Sequence, residues 1–409
     1  MRSFQVILSN YIIKILISIF LFSCDKYILP TEKNNNFHYF VNSTQSYNKS
    51  LNEKDERDKI LEKGIKYINK CIRDLNSSYS YCKKNDYPII TVIIPSFNCD
   101  KTIAAAIRSV QYQNNSNFEI IIVDDYSKDN SKDIISLLIK KDKRINLIEN
   151  KKNMGTLYSR SIGALFSKGN YILCLDNDDL FFDEDVFDIV YNKANIENLD
   201  IVEFRTLFSI KNIKNISKIR DYQFYDFENN LFISQPSLGI WTITLNGKFY
   251  VHNNLIWGKC IRSSIYKKAI KLLGIQRYSK YVCWAEDTSI SFIIFNIAQS
   301  FKFIYKFGYI QIKRKTSASY SQNINYKLYG ELFFLDVMFD FSKNTSDKNY
   351  AVNMVFQIKK KYKIEQYSNN KNYNYLKEII NKIIKCQFIS LENKQKIKKY
   401  LKTFIVYNK

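Results

Sequence analysis

The chain has 409 residues, 46% of them hydrophobic, with 10 Gly and 4 Pro; this allows a sizeable core plus additions and excludes collagen-like or low-complexity material over most of the length. The formal net charge is +23, but the Lys residues are spread out, with short clusters such as Lys359 to Lys363. The charge therefore reads as general surface charge, and no nucleic-acid partner is expected. Eight Cys stand at 24, 71, 82, 99, 174, 260, 283 and 386, none as CxxC, which argues against a zinc site. Only Cys71 and Cys82 are close enough in sequence to suggest a local disulfide.

In chain order, residues 1–24 come first. Arg2 is followed by apolar residues, Lys14, and the run Ile15 to Cys24 (ILISIFLFSC), with small Ser23 near its end. This fits a secretory signal peptide or a signal-anchor. A bacterial lipoprotein cleavage site at Leu21 to Cys24 is a looser match, because Phe22 is atypical there. Either leading reading sends the rest of the chain into the secretory pathway, luminal or membrane-anchored, in the Golgi or ER if the source is eukaryotic. Residues 25–85 form a stem. Its part from 31 to 50 is rich in Asn and Ser and reads as flexible, with glycosylation acceptor patterns at Asn42-Ser43-Thr44 and Asn48-Lys49-Ser50. Ile60, Leu61, Ile65, Ile68, Ile72 and Leu75 then predict an amphipathic helix packed on the following domain.

From Ile89 strands and helices alternate. Ile89 to Ile94 reads as a buried strand ended by Pro95, and Asp100 as the cap of a helix carrying Ile103, Ile107 and Val110. Glu119 to Val123 is a second strand, stopped by Asp124-Asp125, and Ile134, Leu137 and Leu138 mark a helix. Ile145 to Ile148 is a third strand; Leu157, Ser161, Ala164 and Leu165 make a helix face with Gly169 as its stop; Tyr171 to Leu175 is a fourth strand running into Asp176. Such alternation predicts an α/β fold, a parallel sheet covered on both faces, with ligands at the carboxyl ends of the strands. Asp124-Asp125 and Asp176 to Asp179 both lie at those ends and are expected in one crevice. Beyond about 325 the chain reads as mainly helical, with loops at 342–350 and 365–375.

Asp176 and Asp178, one residue apart after a strand, can both point at one hard cation such as Mg²⁺ or Mn²⁺, whose coordination substrate phosphates often complete. Such pairs also cap helices and decorate loops. The ordered set is more specific. Val92-Ile93-Ile94-Pro95-Ser96-Phe97-Asn98, Ile122-Val123-Asp124-Asp125-Tyr126-Ser127, Asn153-Met154-Gly155 with Arg160 in the next helix, and Tyr171 to Asp179 together resemble the family 2 glycosyltransferases over about residues 89–205.

The resemblance implies a GT-A, Rossmann-like nucleotide-diphospho-sugar transferase domain at 86–325, with a nucleotide half (89–205) and an acceptor half (206–325), between the stem and a helical C-terminal extension at 326–409. It implies that Pro95, Ser96, Phe97 and Asn98 line the nucleotide pocket, that Asp125 hydrogen-bonds the base, and that Asp124 shapes that corner. Asp178 would ligate the metal, Asp176 would bind the ribose or share the metal, and Asp179 would cap the next turn. Tyr126 stands where the family usually has a small residue. Glu286-Asp287, after Trp284, resembles the family's acidic pair, with Asp287 the expected acceptor base and Glu286 second; an apolar neighbour such as Trp284 raises a carboxyl pKa. A helix N-cap at Asp287 is the bland alternative. Asn254 to Lys259 resembles the segment approaching the acceptor, where Trp257 either stacks on a sugar or fills the core. Lys313, Arg314 and Lys315 either hold the diphosphate or are solvated.

The implied activity is inverting, metal-assisted transfer, with Mn²⁺ or Mg²⁺, from a nucleotide-diphosphate sugar, UDP-sugar favoured, to a glycan, lipid-linked or protein acceptor. A non-catalytic sugar-nucleotide or glycan binder on the same fold is the first alternative. A phosphorylation receiver domain also matches the spacing of Asp124, Asp125 and Asp176. The strand-helix unit from Ile89 to Tyr112 ahead of the acid pair, the extra acids after Asp176 and the secretory N-terminus oppose it. No GxGxxG follows the first strand, which opposes a dehydrogenase.

Overall fold

The computed structural model describes residues 52–73, 87–209, 255–312 apart from 283, 324–341 and 371–386, with short strands and single positions outside these spans. The elements begin with α1 (Asn52–Arg73), β1 (Ile90–Ser96), α2 (Ile103–Gln111), β2 (Phe118–Asp124), α3 (Ser131–Lys141), β3 (Ile145–Glu149), α4 (Thr156–Phe166) and β4 (Tyr171–Cys174). They continue with β5 (Leu180–Phe181), α5 (Val186–Ile196), β6 (Ile201–Ser209), β7 (Ile219–Tyr222), β8 (Leu231–Ile233), β9 (Thr242–Leu245), β10 (Lys248–Val251) and β11 (Lys259–Arg262). Last come α6 (Ser263–Leu273), α7 (Ile275–Tyr278), α8 (Glu286–Ile297), β12 (Ser300–Ile312), α9 (Ile324–Phe341) and α10 (Lys371–Lys385).

The main sheet runs β3-β2-β1-β4-β11-β6-β12-β5, with β7 on β6 and β8 on β12. The expectation of a parallel sheet holds for β3, β2, β1 and β4. Beyond β4 the sheet is mixed, because β11 runs antiparallel to both β4 and β6. Side chains alternate across it. Val92 and Ile94 pack with α2, α3 and α5 on one face, and Ile93 packs with α4, α6, α8 and α9 on the other. Gly169 lies so close to β1 that an added Cβ would sit 2.5 Å from the Thr91 nitrogen.

Two boundaries differ from expectation. Pro95 lies inside β1, in register with Val123, instead of ending it. Its missing N–H faces the β4 side, and the β1–β4 register stops at Ile93 and Cys174, so no ladder bond is lost. Thr102, not Asp100, is the N-cap of α2; the Asp100 N–H donates to Asp129 Oδ2 at 3.0 Å.

Helix α1 packs on this domain. Tyr67, Ile68 and Cys71 are buried with Ala105, Leu180, Phe182, Leu207, Ile310 and Ile312. Lys63 pairs with Asp183 at 2.5 Å and Lys70 with Glu184 at 2.6 Å. At the other end, residues 371–375 belong to α10 rather than to the loop expected at 365–375. Leu376, Ile379, Ile380 and Ile383 bury one face of that helix, and Asn372 Nδ2 donates to the Asn325 carbonyl at 3.0 Å, which fixes the polar first turn. No helix among the described residues is long and apolar enough to cross a membrane. Residues 1–50, Cys82 and the loop at 342–350 lie outside the described residues.

Candidate active site

The ends of β1 and β2 make one corner. Ser96 and Asp124 are register partners. The buried Asp124 carboxylate accepts from the Ser127 N–H at 3.0 Å, from Ser127 Oγ at 2.6 Å and from Ser96 Oγ at 3.3 Å. It therefore closes the turn after β2. The Asn98 N–H donates to Ser127 Oγ at 3.0 Å, and Asn98 Oδ1 accepts from the Lys128 N–H at 2.8 Å. Phe97 and Tyr126 remain exposed at this corner. Tyr126 takes a left-handed backbone, φ 71, and Lys128 lies 3.4 Å above its ring, so the bulky residue fits by turning to solvent.

Asp125 is buried and ties β2 to the start of α4. It accepts from Asn150 Nδ2 at 2.8 Å and from the N–H groups of Met154 and Gly155, both at 2.7 Å. A carboxylate has about four lone-pair positions, so one remains for a ligand donor. Gly155 itself needs positive φ, 87, to present that N–H.

The acidic run begins where β4 ends. Asn177 Nδ2 donates to the Pro95 carbonyl at 2.8 Å, joining the run to the first corner. The Asp176 N–H donates to Tyr309 Oη at 3.2 Å. Asp179 is buried, accepting from Tyr309 Oη at 2.9 Å and from the Ile312 N–H at 2.7 Å. Burial, with the charges of Asp178 and Asp176 beside it, pushes its carboxyl well above the usual range. Asp179 therefore anchors β12 and does not face a ligand. Asp178 is half-buried between the two.

Arg160, from α4, joins this run to the acidic pair. Its side chain is 5% exposed. Nη2 donates to Asp176 Oδ1 at 2.5 Å, and Nη1 donates to Asp287 Oδ1 while lying 3.7 Å from Glu286 Oε1. The N-cap of α8 is Ala285, in a left-handed conformation with φ 56, so Asp287 sits in the first turn and is not the cap. Burial raises the carboxyls of both acids, against the pull of Arg160, and carries Glu286 to about 8. Arg160 bonds Asp287 and only approaches Glu286, so of the two carboxyls Asp287 has the closer compensating cation.

Trp257 fills the core instead of offering a face to a sugar. It is buried and stacks on Tyr309, centroids 4.8 Å apart and planes 10° apart. Asn254, Lys313, Arg314 and Lys315 lie outside the described residues. Sequence reasoning assigned no role to Tyr309 or to Arg160. Neither lies in an acidic motif; Arg160 becomes legible only once α4 is aimed by Asp125.

Among the described residues no group of three His, Cys, Asp or Glu side chains could hold a metal. A protein-only cage is thus absent there. A carboxylate pair such as Asp176 and Asp178 could hold a hard cation only if phosphate and water oxygens completed its coordination, as at many Mg²⁺ sites.

A parallel half-sheet with acids at its carboxyl ends, continued by a mixed half that returns a second acidic pair to the same crevice, defines the GT-A, Rossmann-like class. Residues 91–248 match the family described as glycosyl transferase family 2. GlyG, a glycosyltransferase of Streptococcus pneumoniae serotype 4, is 29% identical over 114 residues, 28% of this chain and 38% of that protein. The Escherichia coli protein named UDP-Glc:alpha-D-GlcNAc-diphosphoundecaprenol beta-1,3-glucosyltransferase WfgD is 35% identical over 97 residues, 24% of this chain and 37% of that protein. The crystal structure of S. aureus TarS 1-349 in complex with UDP-GlcNAc superposes with TM-score 0.52 at 15% identity, over 74% of this chain and 82% of that one, and shares the fold. Over residues 91–248 the chain is thus similar to the family 2 glycosyltransferases. The matched segment spans less than two fifths of the length of these curated relatives.

Proposed function

We propose that the protein is an inverting glycosyltransferase that takes a sugar from a UDP-sugar and places it on an acceptor hydroxyl. The observation that carries this is the Arg160 fork, which puts Asp176 and Asp287 on one guanidinium at the mouth of the same crevice. The base of the donor would sit against Phe97, with its imide N–H on the remaining acceptor position of Asp125. Asp176 and Asp178 would hold a divalent ion, Mn²⁺ or Mg²⁺, which when bound supplies charge neutralisation for the diphosphate leaving group.

Asp287 takes the proton of the acceptor hydroxyl. The hydroxyl oxygen attacks the anomeric carbon as the bond from that carbon to the diphosphate oxygen breaks. The electron pair leaves with UDP, the proton rests on Asp287, and the anomeric configuration inverts. At pH 7 Glu286 is largely protonated, which leaves the base role to Asp287.

We further propose a lipid-linked glycan as acceptor, by analogy with the substrate in the name of WfgD. Residues 1–24 would act as signal or anchor and give the protein membrane attachment in the secretory pathway. Fractionation of the full chain against a version lacking residues 1–24 tests that placement: equal solubility of the two removes it. The activity is tested by release of UDP from UDP-glucose and UDP-GlcNAc with added Mn²⁺, water serving as acceptor. Turnover that Asp287→Asn abolishes supports the reading. Binding without turnover in the parent would point to a sugar-nucleotide sensor.

A further inference from the structure

Lys259 opens β11 and is 1% exposed. Its Nζ donates to the Leu255 carbonyl at 2.7 Å and lies 3.6 Å from Glu203 Oε2, its register partner on β6. Taking an ion pair out of water costs more than an apolar pair of the same volume would. The proposed chemistry makes no direct use of Lys259, so its retention in the core has another cause.

The turn that Lys259 holds, residues 255–258, touches both acidic clusters. It closes with Gly258 at φ 71, whose carbonyl accepts the Phe204 N–H at 3.0 Å. The Ile256 N–H donates to Asp287. Trp257 stacks on Tyr309, whose hydroxyl bonds Asp179 and the Asp176 N–H. No other single turn described above reaches both the donor acids and the proposed base.

We propose that Lys259 is a positioning residue: by pinning the Leu255 carbonyl it sets the turn that orients Asp287 and, through Trp257 and Tyr309, the Asp176–Asp179 run. This rests on Asp287 as the base. The groups facing Asp287 are Arg160 from α4, Cys174 and Asp176 at the end of β4, Tyr266 from α6, Lys259 from β11, and Glu286 on its own helix. Arg160 and Lys259 are the two cations among them and favour the carboxylate. Loss of Lys259 therefore moves the acid limb of the rate profile to higher pH.

The test is Mn²⁺-dependent hydrolysis of UDP-glucose and UDP-GlcNAc by the full chain, comparing the parent, Lys259→Met, Lys259→Arg, the double variant Glu203→Gln with Lys259→Met, and Asp287→Asn. A misplacement of about 1 Å costs about 100-fold in rate, and a loss of that size in kcat, larger than the accompanying rise in donor KM, is expected in Lys259→Met. Lys259→Arg keeps the charge and should recover part of the rate. The neutral double variant removes the buried pair together and should fold, yet remain as slow as Lys259→Met, with its acid limb raised. Recovery of kcat and of the pH profile in the double variant overturns the proposal, because the defect would then come from an uncompensated Glu203. A double variant with parental kcat also overturns it should Lys259→Met fail to fold. If Asp287→Asn itself turns over normally, the failure belongs to the assignment of the base.

Discussion

Asp176 and Asp287, 111 positions apart in the chain, are held by the two arms of one guanidinium, that of Arg160. The pairing places the donor-side acid and the proposed base in fixed register. It also explains how three carboxyls coexist around this arginine: Asp287 and Asp176 take the cation, while burial raises Glu286 to about 8.

Replacing Arg160 should therefore damage both stability and turnover. Arg160→Met leaves its carboxylates uncompensated and is expected to cost about 3 kcal/mol, the low end for a broken buried pair, because the Asp176 side chain stays 27% exposed. Arg160→Lys keeps a charge but not the fork, and should fold with turnover lost. Denaturant melts and UDP release on the two variants check this.

The two neighbouring acids Asp178 and Asp179 should respond oppositely. Asp179 is buried and its carboxyl is pushed well above the usual range, so Asp179→Asn, which keeps its shape, should cost under about 1 kcal/mol and preserve turnover. Asp179→Ala strands the Ile312 N–H and Tyr309 Oη and should cost about 1–3 kcal/mol. Asp178→Asn should abolish turnover without changing the melt.

Glu286 gives a pH test. A carboxyl whose folded pKa lies above its free value destabilises the folded state as it ionises. That effect is absent below about pH 4.5 and complete above about pH 8. Glu286→Gln should therefore melt like the parent at pH 4.5 and higher than the parent at pH 8.5, by roughly 2–4 °C for each kcal/mol relieved. Equal melts at both values would place Glu286 in a normal environment.

The C-terminal helices bear on the site through Gly330. A Cβ there would overlap the Trp284 carbonyl oxygen, two residues before Glu286. Gly330→Ala should cost about 1–3 kcal/mol from overpacking and also lower kcat, since the segment leading into Glu286 and Asp287 must shift. A stability loss with parental kcat would separate α9 from the site.

Much of this was legible in the sequence. The apolar runs of β1 to β4 and the acids that stop them fixed the parallel half, because period and termination both act locally. The mixed half was not, since β11 is four residues long and its pairing with β4 is set by tertiary contact. The roles of Asp124 and Asp179 as turn and strand anchors needed the partners Ser127, Tyr309 and Ile312. Trp257 is held in the core by the Tyr309 ring stacked against it, a contact that no sequence spacing reports. Arg160 reaches Asp287 across 127 positions, and Lys259 pairs with Glu203 across more than fifty; no spacing rule reports such contacts.

The most direct test is a thermal shift of the full chain with UDP-glucose, UDP-GlcNAc, GDP-mannose and CMP-sialic acid, each with and without Mn²⁺, on the parent and on Asp178→Ala. A ligand that binds only the folded state raises the melting point. A rise with a UDP-sugar that requires Mn²⁺ and vanishes in Asp178→Ala is the predicted result. No rise with any sugar nucleotide, or an equal Mn²⁺-dependent rise in Asp178→Ala, would contradict a metal-assisted donor site at Asp176–Asp178.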